Sequence, residues 1–279
     1  MNSMRSFEFR YVLASSLYGT TPLAQILPEV SKSGAKHLDI WPRIHGDQRE
    51  QVEEMGHDAF SDLLKEQGVK LGVSTRFDLG PFGLLPEIRF ANAFDADIVV
   101  CGSGGPADLE GDDLRDAVRQ FVERQQPQLE LAEELGVRIG IENHANWIIY
   151  SPDSMKWLAE FAGSKPLGIA LAPYHLPDDP EQIAQLIRDL GEKLFLFYAW
   201  QHGKGSHGEL NPEEIFLQMP GRGPLDFAPI VSALVEIEYS GWTEIFMHPA
   251  PRGIPICLPI KEVAVEVNRG IQFLESCLG

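Results

Sequence analysis

The sequence predicts a single (β/α)8 barrel, the TIM-barrel architecture, over residues 1–279. Three observations predict it. Short apolar segments alternate with amphipathic ones eight times, and such alternation implies parallel strands joined by helical crossovers. Gly34, Gly68, Gly136, Gly191 and Gly241 each stand just before an apolar segment, where a helix ends in the left-handed conformation. The first strand–helix junction reads "SSLYGTTPLA" and lacks the Gly-x-Gly-x-x-Gly turn of the open doubly wound sheet, which is the alternative architecture.

Taken in order, "YVLASSLYG" from Tyr11 is the first strand, and "PLAQILPEVSKSG" is a helix closed by Gly34. "KHLDIW" is the second strand, and the apolar spacing that follows predicts one helix over residues 49–67. "VKLGVS" and "LLPEIRFANAFDA" form the third pair, and "DIVVCGSGG" is the fourth strand, followed by one long helix over 112–135. "VRIGIENH" is the fifth strand, with a helix over 153–161. "LGIALAP" and "PEQIAQLIRDLG" are the sixth pair, "KLFLFYAW" and "PLDFAPIVSALVEIEYSG" the seventh. "WTEIFMH" is the last strand and residues 260–278 the last helix. No low-complexity or linker-like stretch divides the chain, so one domain is expected.

Composition narrows the function. Hydrophobic residues make up 44%, enough for a sizeable core, and the formal net charge is −18. That charge disfavours a protein whose affinity comes from nucleic-acid phosphates. Cys101, Cys257 and Cys277 are far apart and show no metal-site or disulfide spacing, which fits a reducing compartment. The opening "MNSMRSFEFR" has no apolar run, and no stretch is long enough to span a membrane. A cytoplasmic protein is expected, with homo-oligomerisation left open.

In a barrel of this kind the chemistry sits at the carboxyl ends of the strands. The residues expected there are Ser15 or Ser16, Asp39 and Trp41, Ser74 and Arg76, Glu142 and His144, His175, Tyr198, Trp200 and His202, and His248. Several have an ordinary structural reading. The serines can satisfy backbone groups, Asp39 and Arg76 can form an ion pair, and Trp41, Trp147 and Trp200 can simply pack. His45, His57 and His207 stand among polar residues and read as solvated, and His37 as a satisfied side chain at a strand start. Glu142 reads differently, because a carboxylate on an otherwise apolar strand is costly to bury without a purpose.

Four segments then carry a resemblance over nearly the whole chain. "IGIENH" on the fifth strand, "IALAPYHL" on the sixth, "GRGPLDFAPIVSAL" before the seventh helix and "YSGWTEIFMH" at the eighth strand resemble the xylose isomerase-like TIM barrels, the sugar phosphate isomerase/epimerase group. The resemblance implies one divalent metal (Mn, Zn or Mg) held by Glu, Asp, His and Glu on strands five to eight. It also implies proton transfer at the carbon next to a carbonyl of a small carbohydrate. Carried over by residue, Glu142 stands at the first ligand position and His175 matches the histidine of Asp-x-x-His. The aspartate position is Ala172, the strand-seven histidine position is Tyr198, and the strand-eight glutamate position is Phe246. Glu244 and His248 share a face with Phe246 by alternation, Glu244 deeper in the barrel and His248 nearer the mouth.

Three readings follow: a rebuilt metal site from Glu142, His175, His202 and His248; metal-free acid–base work by Glu142 with a histidine; or carbohydrate binding without turnover. In the catalytic readings Glu142 and His248 are the acid–base pair. His175, Tyr198, Trp200, Trp41 and Arg252 contact the substrate. The long connection over residues 201–223 is expected to cover the mouth, and the prolines of "HPAPRGIPICLP" to hold Arg252 in place.

Overall fold

Eight short parallel strands close into a barrel in chain order. They are β1 (Arg10–Ala14), β2 (His37–Ile40), β3 (Lys70–Thr75), β4 (Ile98–Gly102), β5 (Arg138–Glu142), β6 (Leu167–Leu171), β7 (Leu194–Tyr198) and β8 (Trp242–Ile245). This computed structural model describes residues 7–202, 204–206, 214–248, 256 and 259–279. The barrel closes where Val12 of β1 pairs with Glu244 of β8. The register shifts at Leu38/Asp39 between β2 and β3 and at Ile169/Ala170 between β6 and β7. The strands are buried along nearly their whole length, as a parallel sheet covered on both faces requires.

Ten α-helices among the described residues form the outer layer. They are α1 (Leu23–Val30), α2 (Gln48–Met55), α3 (His57–Gln67), α4 (Leu85–Ala93), α5 (Gly111–Arg124), α6 (Gln126–Leu135), α7 (Pro152–Ala162), α8 (Pro180–Leu190), α9 (Ala228–Glu236) and α10 (Lys261–Ser276). Local chemistry sets their starts. Ser151 and Ser154 form a capping box at α7, and the Asp179 carboxylate accepts the Gln182 amide at α8. Pro152 and Pro180 occupy first-turn positions that need no amide donor.

The sequence predicts one helix over 49–67 and one over 112–135, and each is two. Gly56 sits at φ 84° and ψ 155°, a conformation no helix contains, and it separates α2 from α3. Pro127 lacks an amide and its ring would strike the carbonyl four residues back, so α5 ends and α6 begins at Gln125. Gly68 and Gly136 take the expected left-handed position. Gly241 does not: a Cβ there would lie 2.4 Å from the Phe195 carbonyl oxygen, so glycine serves close packing of β8 on β7. No described helix is long and apolar enough to cross a membrane.

Candidate active site

The alternation of β5 places Ile139 and Ile141 toward the helices and brings Glu142 to the carboxyl end of the strand, opposite Gly102 of β4 and Ala170 of β6. Glu142 is 3% exposed. The next residue, Asn143, ties β5 to β6. Its side-chain oxygen accepts the Ala172 amide at 2.6 Å, and its NH2 donates to the Ala172 carbonyl at 3.1 Å. A one-turn helix over Pro173–His175 then delivers the His175 ring, whose Nε2 lies 3.4 Å from Glu142 Oε1. The other carboxylate oxygen, Oε2, has no hydrogen-bond partner.

Tyr198 ends β7 and is fully buried. Burial, with Glu142, Glu244 and Asp39 close by, raises its phenol well above the ordinary value. Glu142 is near enough to act on that hydroxyl, yet the Tyr198 oxygen has no partner at normal hydrogen-bond length. Beneath this level lie Asp39 of β2 and Glu244 of β8, both wholly buried. Thr75 Oγ donates to Asp39 Oδ2 at 2.7 Å. Burial raises Glu244 well above the ordinary carboxyl range, and the nearby Asp39 and Glu142 raise it further. Burial pushes Asp39 up to about 7, against the lowering effect of the Thr75 hydrogen bond. Asp39 and Arg76 therefore form no ion pair; Arg76 pairs with Glu87 and Asp78.

Above the carboxyls, aromatic rings follow one another around the mouth. Trp41 touches Phe77 (5.6 Å between centroids), Phe77 touches Trp147 (6.0 Å), and Trp147 stacks on His144 (4.2 Å). His144 meets His175 (4.2 Å), and His175 meets the edge of Trp200 (5.5 Å). Trp200 contacts His248 (4.9 Å), His248 stacks on His45 (4.7 Å), and His45 returns to Trp41 (5.1 Å). Phe246 stacks on Trp41 at 4.7 Å and 10°, and also touches Trp200 and Tyr198. Glycine makes room for one of these rings: a Cβ on Gly102 would fall 1.7 Å from the Trp147 ring.

Gln218 braces the other side. Its side-chain oxygen accepts the Trp200 indole N–H at 3.0 Å and the His248 amide at 3.1 Å, while its NH2 donates to the His248 carbonyl at 2.9 Å. Sequence reasoning misses Gln218, Phe77 and His45, because all three come from loops whose path no periodicity fixes. His45, expected in solvent, is half-buried against His248 and Trp41. Ser15 does what its ordinary reading says, accepting the Trp41 amide at 2.9 Å.

Of the residues expected at the site, Glu142, His175, Tyr198, Trp200, Trp41 and His248 lie within this one region. His202 is buried with its Nε2 2.6 Å from the Leu176 carbonyl oxygen, a geometry in which that nitrogen donates a proton and cannot ligate. Arg252 lies outside the described residues, as do residues 203 and 207–213 of the long connection after β7.

A family model described as the xylose isomerase-like TIM barrel matches residues 27–277. The chain belongs to that family. Among solved structures, the IOLI protein with a bound zinc atom aligns with a TM-score of 0.75 at 15% identity, over 97% of this chain and 99% of that one. An L-ribulose 3-epimerase gives 0.72 at 14% identity, over 97% and 96%. A xylose isomerase domain protein from Alicyclobacillus acidocaldarius gives 0.71 at 17%, over 97% and 99%. At these identities the likeness is one of fold. The uncharacterized protein MJ1311 of Methanocaldococcus jannaschii is 25% identical over 202 residues, 69% of this chain. The match spans 64% of that relative's length.

Within this xylose isomerase-like chain, the four ligand positions implied by the sequence resemblance hold Glu142, Ala172, Tyr198 and Phe246. An alanine and a phenylalanine offer no donor atom, and the Tyr198 phenol is strongly held in its protonated form. Among the described residues, no three His, Cys, Asp or Glu side chains form a group that could hold a metal ion. The set Glu142, His175, His202 and His248 does not gather around one point, since His202 turns to Leu176 and His248 stacks on His45. The residues present do not fit the family's divalent ion.

Proposed function

We propose that this chain acts on a small carbohydrate by metal-independent proton transfer at the carbon next to a carbonyl. The observation that carries this reading is the state of Glu142: buried at the carboxyl end of β5, one oxygen against His175 and the other without a partner. A carboxylate so placed is free to take a proton from bound substrate. The electron pair of the broken C–H bond passes to the carbonyl, giving an enediolate. The developing oxyanion is met by a proton donor, His175 Nε2 or the Tyr198 hydroxyl, both adjacent to Glu142. Return of the proton to the same carbon gives an epimer, and to its neighbour an isomer. His248, which touches Trp200 and Phe246 at the same mouth, is assigned the second proton transfer. Phe77 and Trp147, half-exposed at the same mouth, supply flat apolar faces for a sugar ring, whereas Trp41 and Trp200 are buried with faces against Phe246 and Tyr174. The epimerases among the structural relatives support a carbohydrate as the substrate.

A second reading has its own observation. Phe246 and Ala172 remove two of the implied ligands, and Phe246 also stacks on Trp41, which favours binding without turnover. Wash-in of solvent deuterium into a panel of aldoses and ketoses, in the presence of chelator, separates the two. Wild type is expected to label at least one sugar at the carbon next to its carbonyl, and Glu142→Gln to label it about 10²–10⁴-fold more slowly. Binding of a sugar by wild type with no label incorporated would establish the second reading instead.

A further inference from the structure

We propose that Gln218 is the positioning residue for His248, its side-chain amide standing in for a neighbouring strand and fixing that histidine at the mouth. The proposal rests on the reading above in giving His248 the second proton transfer.

Strand β8 ends at Ile245, and its register with β7 runs to Tyr198 opposite Glu244. Three residues beyond the end of β8, the His248 backbone turns both of its polar groups to one side chain. Its amide donates to Gln218 Oε1 at 3.1 Å, and its carbonyl accepts from Gln218 Nε2 at 2.9 Å. A hydrogen-bonded partner residue in an antiparallel ladder supplies the same pair of bonds, so His248 is held as though its strand continued. Asn143 does the same for Ala172, just past β6 and before the turn that carries His175. Each of the two imidazoles given a part in the reaction therefore follows from a backbone clamped by a side-chain amide.

The clamp admits one orientation. A side-chain amide can make four hydrogen bonds, and Gln218 makes all four. Its oxygen also accepts the Trp200 indole N–H at 3.0 Å, and its NH2 also donates to the Ile215 carbonyl at 3.1 Å. Turning the amide over would set donor against donor at Trp200 and His248. Gln218 is wholly buried, so solvent does not stand ready to replace a bond that is lost. Gln201 holds Gln218 in place. The Gln201 backbone amide donates to the Gln218 carbonyl at 2.7 Å. The Gln201 side chain accepts the amides of Arg222 at 2.9 Å and Gly223 at 2.8 Å, and donates to the Leu225 carbonyl at 2.7 Å. Trp200 has a second support, since it stacks on Tyr174 at 4.2 Å and 4°. Loss of the Gln218 amide thus releases His248 while the Glu142 and His175 side of the mouth stays in place, and the two proton transfers separate.

Gln218→Met, which keeps the length of the side chain and removes all four bonds, is the variant to make, with Gln218→Glu, which keeps an acceptor oxygen, beside it. The first measurement compares deuterium wash-in to recovered sugar, which reads proton removal by Glu142, with conversion to epimer or isomer. Gln218→Met is expected to keep wash-in within about three-fold of wild type and to lose conversion on the order of 10²-fold, the cost of a displacement of about 1 Å. Gln218→Glu should recover most of that loss. The second measurement needs no activity. In the NMR spectrum of the unliganded protein, Gln218→Met should move the Trp200 indole N–H upfield and shift the His248 ring resonances, and Gln218→Glu should leave the indole signal near its wild-type position. Equal loss of wash-in and conversion in Gln218→Met would make Gln218 a general brace and overturn the proposal, as would unchanged His248 resonances. A wild type that labels no sugar removes the reading above, and the NMR comparison then decides by itself whether Gln218 places His248.

Discussion

Asp39 and Glu244 are both wholly buried inside the barrel and both raised above the ordinary carboxyl range, and that has a measurable consequence for stability. In the unfolded chain both carboxyls ionise near pH 4. In the folded chain Asp39 holds its proton up to about 7, and Glu244, raised well above its ordinary value, holds its own beyond its usual range. Above about pH 4 the native state therefore binds more protons than the unfolded state, and stability falls as pH rises toward 7. Chemical denaturation should give a lower midpoint at pH 8 than at pH 5, and Asp39→Asn should flatten that difference. An unchanged pH dependence in the variant would show that the pair does not titrate this way. At this scale Glu142 was legible in the sequence, because a carboxylate ending an apolar strand is rarely neutral in its consequences. The pairing of Asp39 with Glu244 was not. It depends on how far β8 and β2 are staggered around the barrel, and side-chain alternation within one strand does not specify that stagger.

Between strands, the fit of Gly102 to Trp147 is the contact most open to a single change. A methyl group on Gly102 cannot coexist with the ring, which lies 1.7 Å from the Cβ position. The obstructing atoms are the far end of a half-exposed side chain, so the ring can swing outward while the strand stays in place. Gly102→Ala should therefore cost only about 1 kcal/mol in denaturant unfolding. It should change the near-ultraviolet circular dichroism of the tryptophans, because Trp147 leaves its stack on His144. A spectrum identical to wild type would contradict the placement of Trp147 across β4. The strands and most helices could be located from apolar periodicity, and α7 and α8 from their caps. The two long helices were misread as continuous for opposite reasons. Apolar spacing persists across both junctions; at Gly56 the backbone leaves the helical region, whereas at Gln125 it stays near it and Pro127 removes the amide that would carry the helix through.

On the scale of the molecule, closure of eight strand–helix units gathers the carboxyl ends of all strands into one mouth, and the composition of that mouth decides what the barrel can do. The order of the elements was readable because each strand carries a short apolar run and is followed by an amphipathic helix. The succession of rings around the mouth was not, since His45 and Phe77 acquire partners only once the barrel is closed and its loops are packed. In this member of the family, an alanine, a phenol and a phenyl ring stand at three of the positions where a divalent ion would be coordinated, and the mouth is proposed to function without metal. Elemental analysis of protein purified without a histidine tag, loaded with Mn²⁺ or Zn²⁺ and then desalted, tests this most directly. Far less than one metal per chain is expected, with no difference between wild type and Glu142→Gln. Retention of about one equivalent in wild type, lost in Glu142→Gln, would contradict it and reveal a coordinated ion at β5.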